Sequence, residues 1–465
     1  MHKHLMKLSN KRSETPEGIP ACMFKSLGFS VCVPLSLIFR RTLESGEIPN
    51  IFKYAIISPV HKKGCMSEAA NKRPVSLTSV PCKIMESIIC TAIYNNANQQ
   101  GLIFEKQFAY RPGLSTTFQL LECQNDWALL ANHSTPFDVF YFDFKSAFET
   151  VTHKKLLNLL PSYGVGPRVV KWMAAFLHQR TFRVRVNGSL SSLGTATSGC
   201  PQGTILGPLT YILYTNSLMF LGSDVKIMVY ADDIKMYCPM SSDENYRTVQ
   251  ATLERFHRWT VDLDLTLSIH KCVIMHFGQN NPRKRYYINN QEMTTANHVR
   301  DLGVTMTTNL KYSDHVSEIV NRASRRANWI LRSFVVNKPE LYMSLYNCYV
   351  MPIMTYASPV WNTGLAKDKK LLQRAQRRFV RRVAYRCKVD TENIVYKDIL
   401  QVLHDNDIGI LRKLRKNSSL YEIFFTVVPT ITRSELNLQP KEIATKTSVN
   451  NVFAWRIARL SRSLV

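Results

Sequence analysis

The sequence predicts an α+β protein, and three observations carry that expectation. Met228-Val229-Tyr230-Ala231-Asp232-Asp233-Ile234-Lys235-Met236-Tyr237 sets two adjacent carboxylates between β-prone runs, with Ala231-Asp232-Asp233 reading as a tight turn at the tip of a hairpin. Val139-Phe140-Tyr141-Phe142-Asp143-Phe144 is a second apolar run, with one carboxylate near its end and a helix-like segment, 149–160, after it. The last third of the chain instead shows long helical spacings, 314–331 and 374–388, loaded with arginine.

In chain order, residues 1–19 are basic and polar and predict little order. Residues 30–43 are apolar at helical spacing and stop at Gly46-Glu47-Ile48-Pro49. Residues 54–60 read as a strand and 83–95 as an amphipathic helix. Ser115 stands where an N-cap would start a helix over 116–130. Residues 164–180 read as a loop and then a helix. Phe182-Arg183-Val184-Arg185-Val186 alternates up to an Asn187-Gly188 hairpin turn, so Arg183 and Arg185 face outward, toward backbone phosphates or simply solvent. A helix over 204–217 precedes the acidic hairpin, a helix over 241–261 and a strand over 273–277 follow it, and 346–361 is an aromatic, helix-breaking stretch. Residues 408–416 form another basic helix, and no role is assigned beyond 426.

Two carboxylates side by side repel each other, and a lone Asp143 in so apolar a run is costly to bury. Taken alone, Asp232-Asp233 is an ordinary exposed turn. Taken with Asp143, the acids meet at the ends of neighbouring strands and share divalent ions, for which hard oxygen ligands suit Mg²⁺. Two such ions about 3.5–4 Å apart clamp the attacking and leaving oxygens of a nucleotidyl transfer.

Bulk properties agree. The 465 residues suffice for several subdomains, and a net charge of +26 implies a polyanion, most simply nucleic acid. No stretch reaches the roughly 18 consecutive apolar residues of a membrane span, so no membrane partner is expected. The 11 cysteines lack a C-x-x-C pair, which points to free thiols in an intracellular protein rather than zinc or disulfides.

At this point the residues resemble a known family. Tyr230-Ala231-Asp232-Asp233 resembles the catalytic hairpin of reverse transcriptases, and Phe142-Asp143-Phe144-Lys145-Ser146-Ala147-Phe148 resembles their first palm motif. Ser198-Gly199-Cys200-Pro201-Gln202-Gly203-Thr204-Ile205-Leu206-Gly207-Pro208-Leu209 resembles the intervening motif, in the expected order. The match is to the non-LTR, LINE-type and jockey-like retrotransposon enzymes, over about residues 35–414. It implies a right-hand polymerase: an N-terminal extension over 1–50, fingers over 51–137, an antiparallel-sheet palm over 138–280, a connection and basic helical thumb over 281–390, and a helical region over 391–465.

The resemblance also implies roles. Asp143, the carbonyl of Phe144, Asp232 and Asp233 would hold two Mg²⁺, with Mn²⁺ as the alternative. Lys271 would protonate the pyrophosphate leaving group. Lys63, Arg73 and Arg111 would neutralise phosphates from the fingers. Phe148 would sit under the sugar and collide with a ribose 2′-hydroxyl, and Gln202 would position template base or nucleotide. Arg322, Arg325, Arg326, Arg374, Arg377, Arg378, Arg381 and Arg382, with Arg183 and Arg185, would track nucleic-acid backbone. The partners implied are an RNA template, a DNA primer or target, and dNTPs, in the nucleus after a cytoplasmic RNA–protein particle stage; the oligomeric state is left open. Nothing before residue 35 could house the endonuclease of such elements, so a truncated copy or a partial gene model is expected. The rivals are a catalytically dead copy that only binds RNA, and a group II intron-type maturase.

Overall fold

The computed structural model describes residues 1–10, 15–62, 64–222, 224–362, 364–427 and 438–440. Two sheets organise them. The first runs Lys72–Thr78, Tyr54–His61, Arg180–Val186, Ser189–Leu190, with Gly194–Ala196 also on Arg180–Val186. Its Tyr54–His61 and Arg180–Val186 strands are parallel, so the chain between them must cross over. Residues 180–196, expected with the palm, therefore sit in a sheet with 54–78.

The second sheet runs Thr294–Thr295, Val273–Phe277, Phe137–Phe142, Asp233–Pro239, Lys226–Tyr230. Three of its four pairings are antiparallel. Strand alternation splits its side chains between two cores. Phe140, Phe142, Ile234, Met236 and Ile274 pack on one side with the helices Leu206–Thr215 and Asp243–Asp262. Phe137, Val139, Tyr237, Met275 and Phe277 pack on the other with Trp127 of the Thr116–Asn132 helix and with the C-terminal helices Ser313–Ser333 and Ala366–Cys387.

Many expected elements form where their local signals lie. Ser115 caps its helix, its Oγ accepting from the Phe118 N–H at 3.4 Å. The strand Val273–Phe277 has the expected bounds, and the aromatic stretch breaks into Pro339–Tyr349, Met351–Thr355 and Ser358–Trp361. The 149–160 helix starts later, at His153, because Glu149 and Thr150 close a turn onto Ser146.

Three expectations are corrected. The start of the chain packs: Leu5 is wholly buried, and His4 Nδ1 pairs with Ser87 Oγ at 2.7 Å. Residues Ala21–Ser45 are long and apolar enough to cross a membrane by length and hydropathy, although polar residues interrupt the apolar run. In this fold that stretch breaks at Gly28 (φ 52°) and packs through Leu35, Phe39 and Thr42, with Trp172 Nε1 donating to Thr42 Oγ1 at 3.3 Å. The acidic hairpin is tighter than expected: Tyr230 pairs with Asp233, so Asp233 belongs to the strand and only Ala231-Asp232 turn. All 11 cysteines are free.

Candidate active site

The site is assembled by strand register. Phe142 pairs with Ile234, and one step beyond them stand Asp143 and Asp233, with Asp232 at the turn. The turn needs Ala231 in the left-handed region (φ 57°), an uncommon conformation for a residue with a Cβ. Gln107 braces it: buried beside the hairpin, its Oε1 accepts from the N–H groups of Ala109 at 2.9 Å and Ala231 at 3.2 Å. The backbone around Gln107 extends the sheet, with Phe108 N–H donating to Val229 O and Val229 N–H to Lys106 O, both at 2.9 Å.

The three acids differ in surroundings. Asp143 is half exposed and ion-paired with Lys271 Nζ at 3.3 Å. Asp232 and Asp233 reach solvent at the rim, yet enough protein crowds them to desolvate their charges. Burial raises the Asp232 carboxyl above its ordinary value; Asp143 adds to this, while Lys62 and Arg73 oppose it. Burial, then repulsion from Asp232 and Asp301, pushes Asp233 up to about 6. Negative charge is thus concentrated without enough cations to match it, the condition a divalent ion relieves.

The donor set fits such an ion in kind: carboxylates and one available carbonyl. Lys145 N–H donates to Thr266 O and Ser268 N–H to Asp143 O, both at 2.8 Å, around the Phe144–Leu267 bridge. That pattern turns the Phe144 N–H and C=O away from Leu267 and toward the acidic hairpin. The acids do not form a closed cage, however. Among the described residues, no three His, Cys, Asp or Glu side chains converge tightly enough to hold an ion by themselves.

Around the acids lie the residues that would meet a nucleotide. Phe148 stacks on Tyr211 with centroids 4.2 Å apart, and Tyr110 meets its edge at 6.4 Å. Burial, then the charge of Asp232, raises the Tyr110 hydroxyl, and Arg73 opposes this, so both charges lie in its neighbourhood. Gln202 Nε2 donates to Glu149 Oε1 at 3.2 Å, and its carbonyl accepts from Ser76 N–H at 2.7 Å. Gly203 (φ 96°) permits that approach; a Cβ there would lie 2.7 Å from the Ser76 oxygen.

Arg111 is a correction. Its guanidinium turns inward and donates to the carbonyls of Phe104, Glu105 and Gln107 at 3.0–3.2 Å, so it braces a loop instead of offering its charge to a phosphate. Lys63 lies outside the described residues; its neighbour Lys62 is, with Arg73, a cation that Asp232 senses. Lys62, Gln107, Tyr110 and Tyr211 were missed as site residues. Gln107 and Tyr110 stand within four residues of Arg111, but the direction each side chain takes has no local signature in the sequence.

The basic helices present the arginines expected of them. Arg322, Arg325 and Arg326 are exposed on Ser313–Ser333, and Arg374, Arg377, Arg378, Arg381 and Arg382 on Ala366–Cys387. The helices pack together, and Arg382 reaches across to Asn328 Oδ1. Arg386, counted with this run in the sequence, is instead a brace onto the carbonyls of Leu331 and Phe334. Arg183 is exposed on the first sheet and Arg185 half-buried.

Comparison with known proteins agrees with this site. The family described as reverse transcriptase (RNA-dependent DNA polymerase) matches residues 60–306, more than half of the chain and all three acids. The chain belongs to that family, and its fold is the right-hand polymerase fold. It is of the non-LTR, jockey-like kind: it is 25% identical over 394 residues to a probable RNA-directed DNA polymerase from transposon X-element of Drosophila melanogaster, covering 81% of this chain and 42% of that protein. It is 27% identical over 371 residues to the RNA-directed DNA polymerase from mobile element jockey of the same fly, covering 75% and 40%. The chain thus spans about two fifths of the length of these relatives. A solved apo telomerase from Candida tropicalis overlaps 60% of the chain at a TM-score of 0.40 and 11% identity, too loose a likeness to carry an argument. The family generally uses divalent metal ions and binds a nucleic-acid template and primer.

Proposed function

We propose that the chain is an RNA-directed DNA polymerase of a non-LTR retrotransposon, adding dNTPs to a primer 3′-hydroxyl on an RNA template. One observation carries the reading: strand register sets Asp143 beside Asp233 under the Asp232 turn, in an electrostatically unbalanced group with Phe148 and Arg73 around it.

Asp143, Asp232, the carbonyl of Phe144 and Asp233 would hold two Mg²⁺, with Mn²⁺ as a substitute. Bound there, the ions would activate the primer hydroxyl and neutralise charge on the phosphates. The chain's own residues do the rest. Lys62 and Arg73, with Lys63 next to Lys62 in the sequence, attract the triphosphate. Phe148, stiffened by its stack on Tyr211, leaves no room for a 2′-hydroxyl. Gln202, fixed by Glu149 and Ser76, orients the nucleotide or its template base. Lys271, held at Asp143, is placed to give a proton to the leaving pyrophosphate. The exposed arginines of the two basic helices, with Arg183 and Arg185, track template and primer backbones.

In this reading 51–137 with 180–196 are fingers, the remainder of 138–280 is palm, and 281–390 are connection and thumb. A DNA primer or target and an RNA template place the working protein in the nucleus, after a cytoplasmic RNA–protein stage.

The test is extension of a DNA primer annealed to RNA by purified protein with dNTPs and Mg²⁺, beside Asp232→Ala. Extension is expected in the parent and its loss in the variant, with duplex binding kept in both. Extension by the variant at the parent rate would overturn the assignment. Binding without synthesis in both would mark an inactive copy that only holds RNA.

A further inference from the structure

Beneath the acids, on the same face of the second sheet, lies a buried ion pair that the proposed chemistry does not use. Lys235 Nζ and the Asp301 carboxylate are in contact, with side chains only 2% and 4% exposed. Lys235 follows Asp233 by two residues, so strand alternation puts both on one face. Its cross-strand partner is Tyr141, two residues before Asp143, and the ammonium lies 6.0 Å from the Tyr141 ring. The pair thus occupies the row of side chains directly behind the catalytic row.

Asp301 comes from elsewhere in the chain. It ends the strand His298–Asp301 and opens a two-residue turn, Leu302-Gly303, into Val304–Thr307. Both turn residues have positive φ, 44° and 90°. Tyr356 holds the turn: its hydroxyl donates to Leu302 O at 2.9 Å, and its ring fills the place of a Gly303 Cβ. The return strand is fastened to the first basic helix. Thr305 N–H donates to His315 Nδ1 at 3.1 Å, and Thr305 Oγ1 to Glu318 Oε2 at 2.7 Å. A line of fixed contacts therefore runs from Asp233 through Lys235 and Asp301 to the helix bearing Arg322, Arg325 and Arg326.

A buried ion pair is a poor source of stability, because desolvating both charges cancels most of their attraction. It is directional, however, and admits one spacing. We propose that Lys235 and Asp301 are positioning residues: they fix the distance between the catalytic hairpin and the basic helix Ser313–Ser333, to which the His298–Thr307 hairpin is fastened, and so the place of a bound duplex relative to Asp143 and Asp232. The inference rests on the polymerase reading. Apolar replacements keep the fold there but lose the fixed spacing, and a shift of about 1 Å in reacting geometry can lower a rate by about 10²-fold.

The test is the double variant Lys235→Met, Asp301→Leu, compared with the parent by thermal melting, duplex affinity, and kcat and KM for a dNTP. The expected result is a melting temperature near the parent's, duplex affinity and dNTP KM within about threefold, and kcat lower by about 10- to 100-fold. A folded double variant with the parent's kcat would overturn the proposal. Should the double variant not melt cooperatively, Lys235→Gln, Asp301→Asn, which removes both charges together and keeps polar groups of similar size, takes its place with the same two outcomes. A parent that cannot extend a primer overturns the polymerase reading, and this inference with it.

Discussion

Two lysine–aspartate pairs flank the catalytic strands and have opposite characters. Lys271–Asp143 is about half exposed, its partners 3.3 Å apart in a region open to solvent. Lys235–Asp301 is dry. In water such a contact contributes little and exchanges readily, since the attraction is screened and each side chain has alternatives. In the interior neither partner can leave without stranding a charge. In the proposed polymerase reading, the open pair sits where Asp143 would also serve a metal and Lys271 a nucleotide. The closed pair belongs where a spacing must not change.

This contrast can be broken in several places. The largest effect expected is on rate at the open pair: Lys271→Met should lower kcat for extension by about 10²–10⁴-fold, the range of a lost general acid. An unchanged kcat would leave Lys271 an ordinary surface lysine. On stability the ranking reverses. Lys235→Met alone strands the Asp301 charge and should cost about 3–5 kcal/mol in denaturant unfolding. Lys271→Met should cost no more than about 1 kcal/mol. Equal costs would show that the two pairs are not different in kind.

A smaller effect tests the joint beyond the closed pair. Burial first, then Arg300 and Arg322, holds the His315 imidazole down at about 4, and its Nδ1 accepts the Thr305 N–H. The folded state therefore binds the proton less well than the unfolded chain, whose imidazole titrates near 6.5. Stability from this group is complete above that value and is lost as pH falls toward about 4. Melting temperature should drop across this window, and His315→Gln should flatten the part due to His315. A parent melting temperature constant over the window would contradict that burial.

What could be read in the sequence follows from how local each signal is. Asp143, Asp232, Asp233 and Gln202 stood out because their chemistry needs short contiguous strings, and the strand Val273–Phe277 because alternation is local. Asp301 lies 66 residues from Lys235, and nothing in either neighbourhood announces the other. Arg111 and Arg386 show the converse. Both look like free cations in one dimension, and both are taken up by carbonyls once the loops and helix ends close. The N-terminal segment looked disordered because its anchors, Leu5 and the His4–Ser87 contact, are isolated in a polar context. The crossover that brings 180–186 beside 54–61 has no local signature either.

Ion binding tests most directly whether the acidic hairpin is a metal site. Mn²⁺ would be titrated into the parent, Asp232→Ala, and the Lys235→Met, Asp301→Leu variant with primer–template present, followed by water-proton relaxation. Binding is predicted in the parent and in the buried-pair variant, and its loss in Asp232→Ala. Equal binding in the parent and Asp232→Ala, or none in the parent, would contradict it.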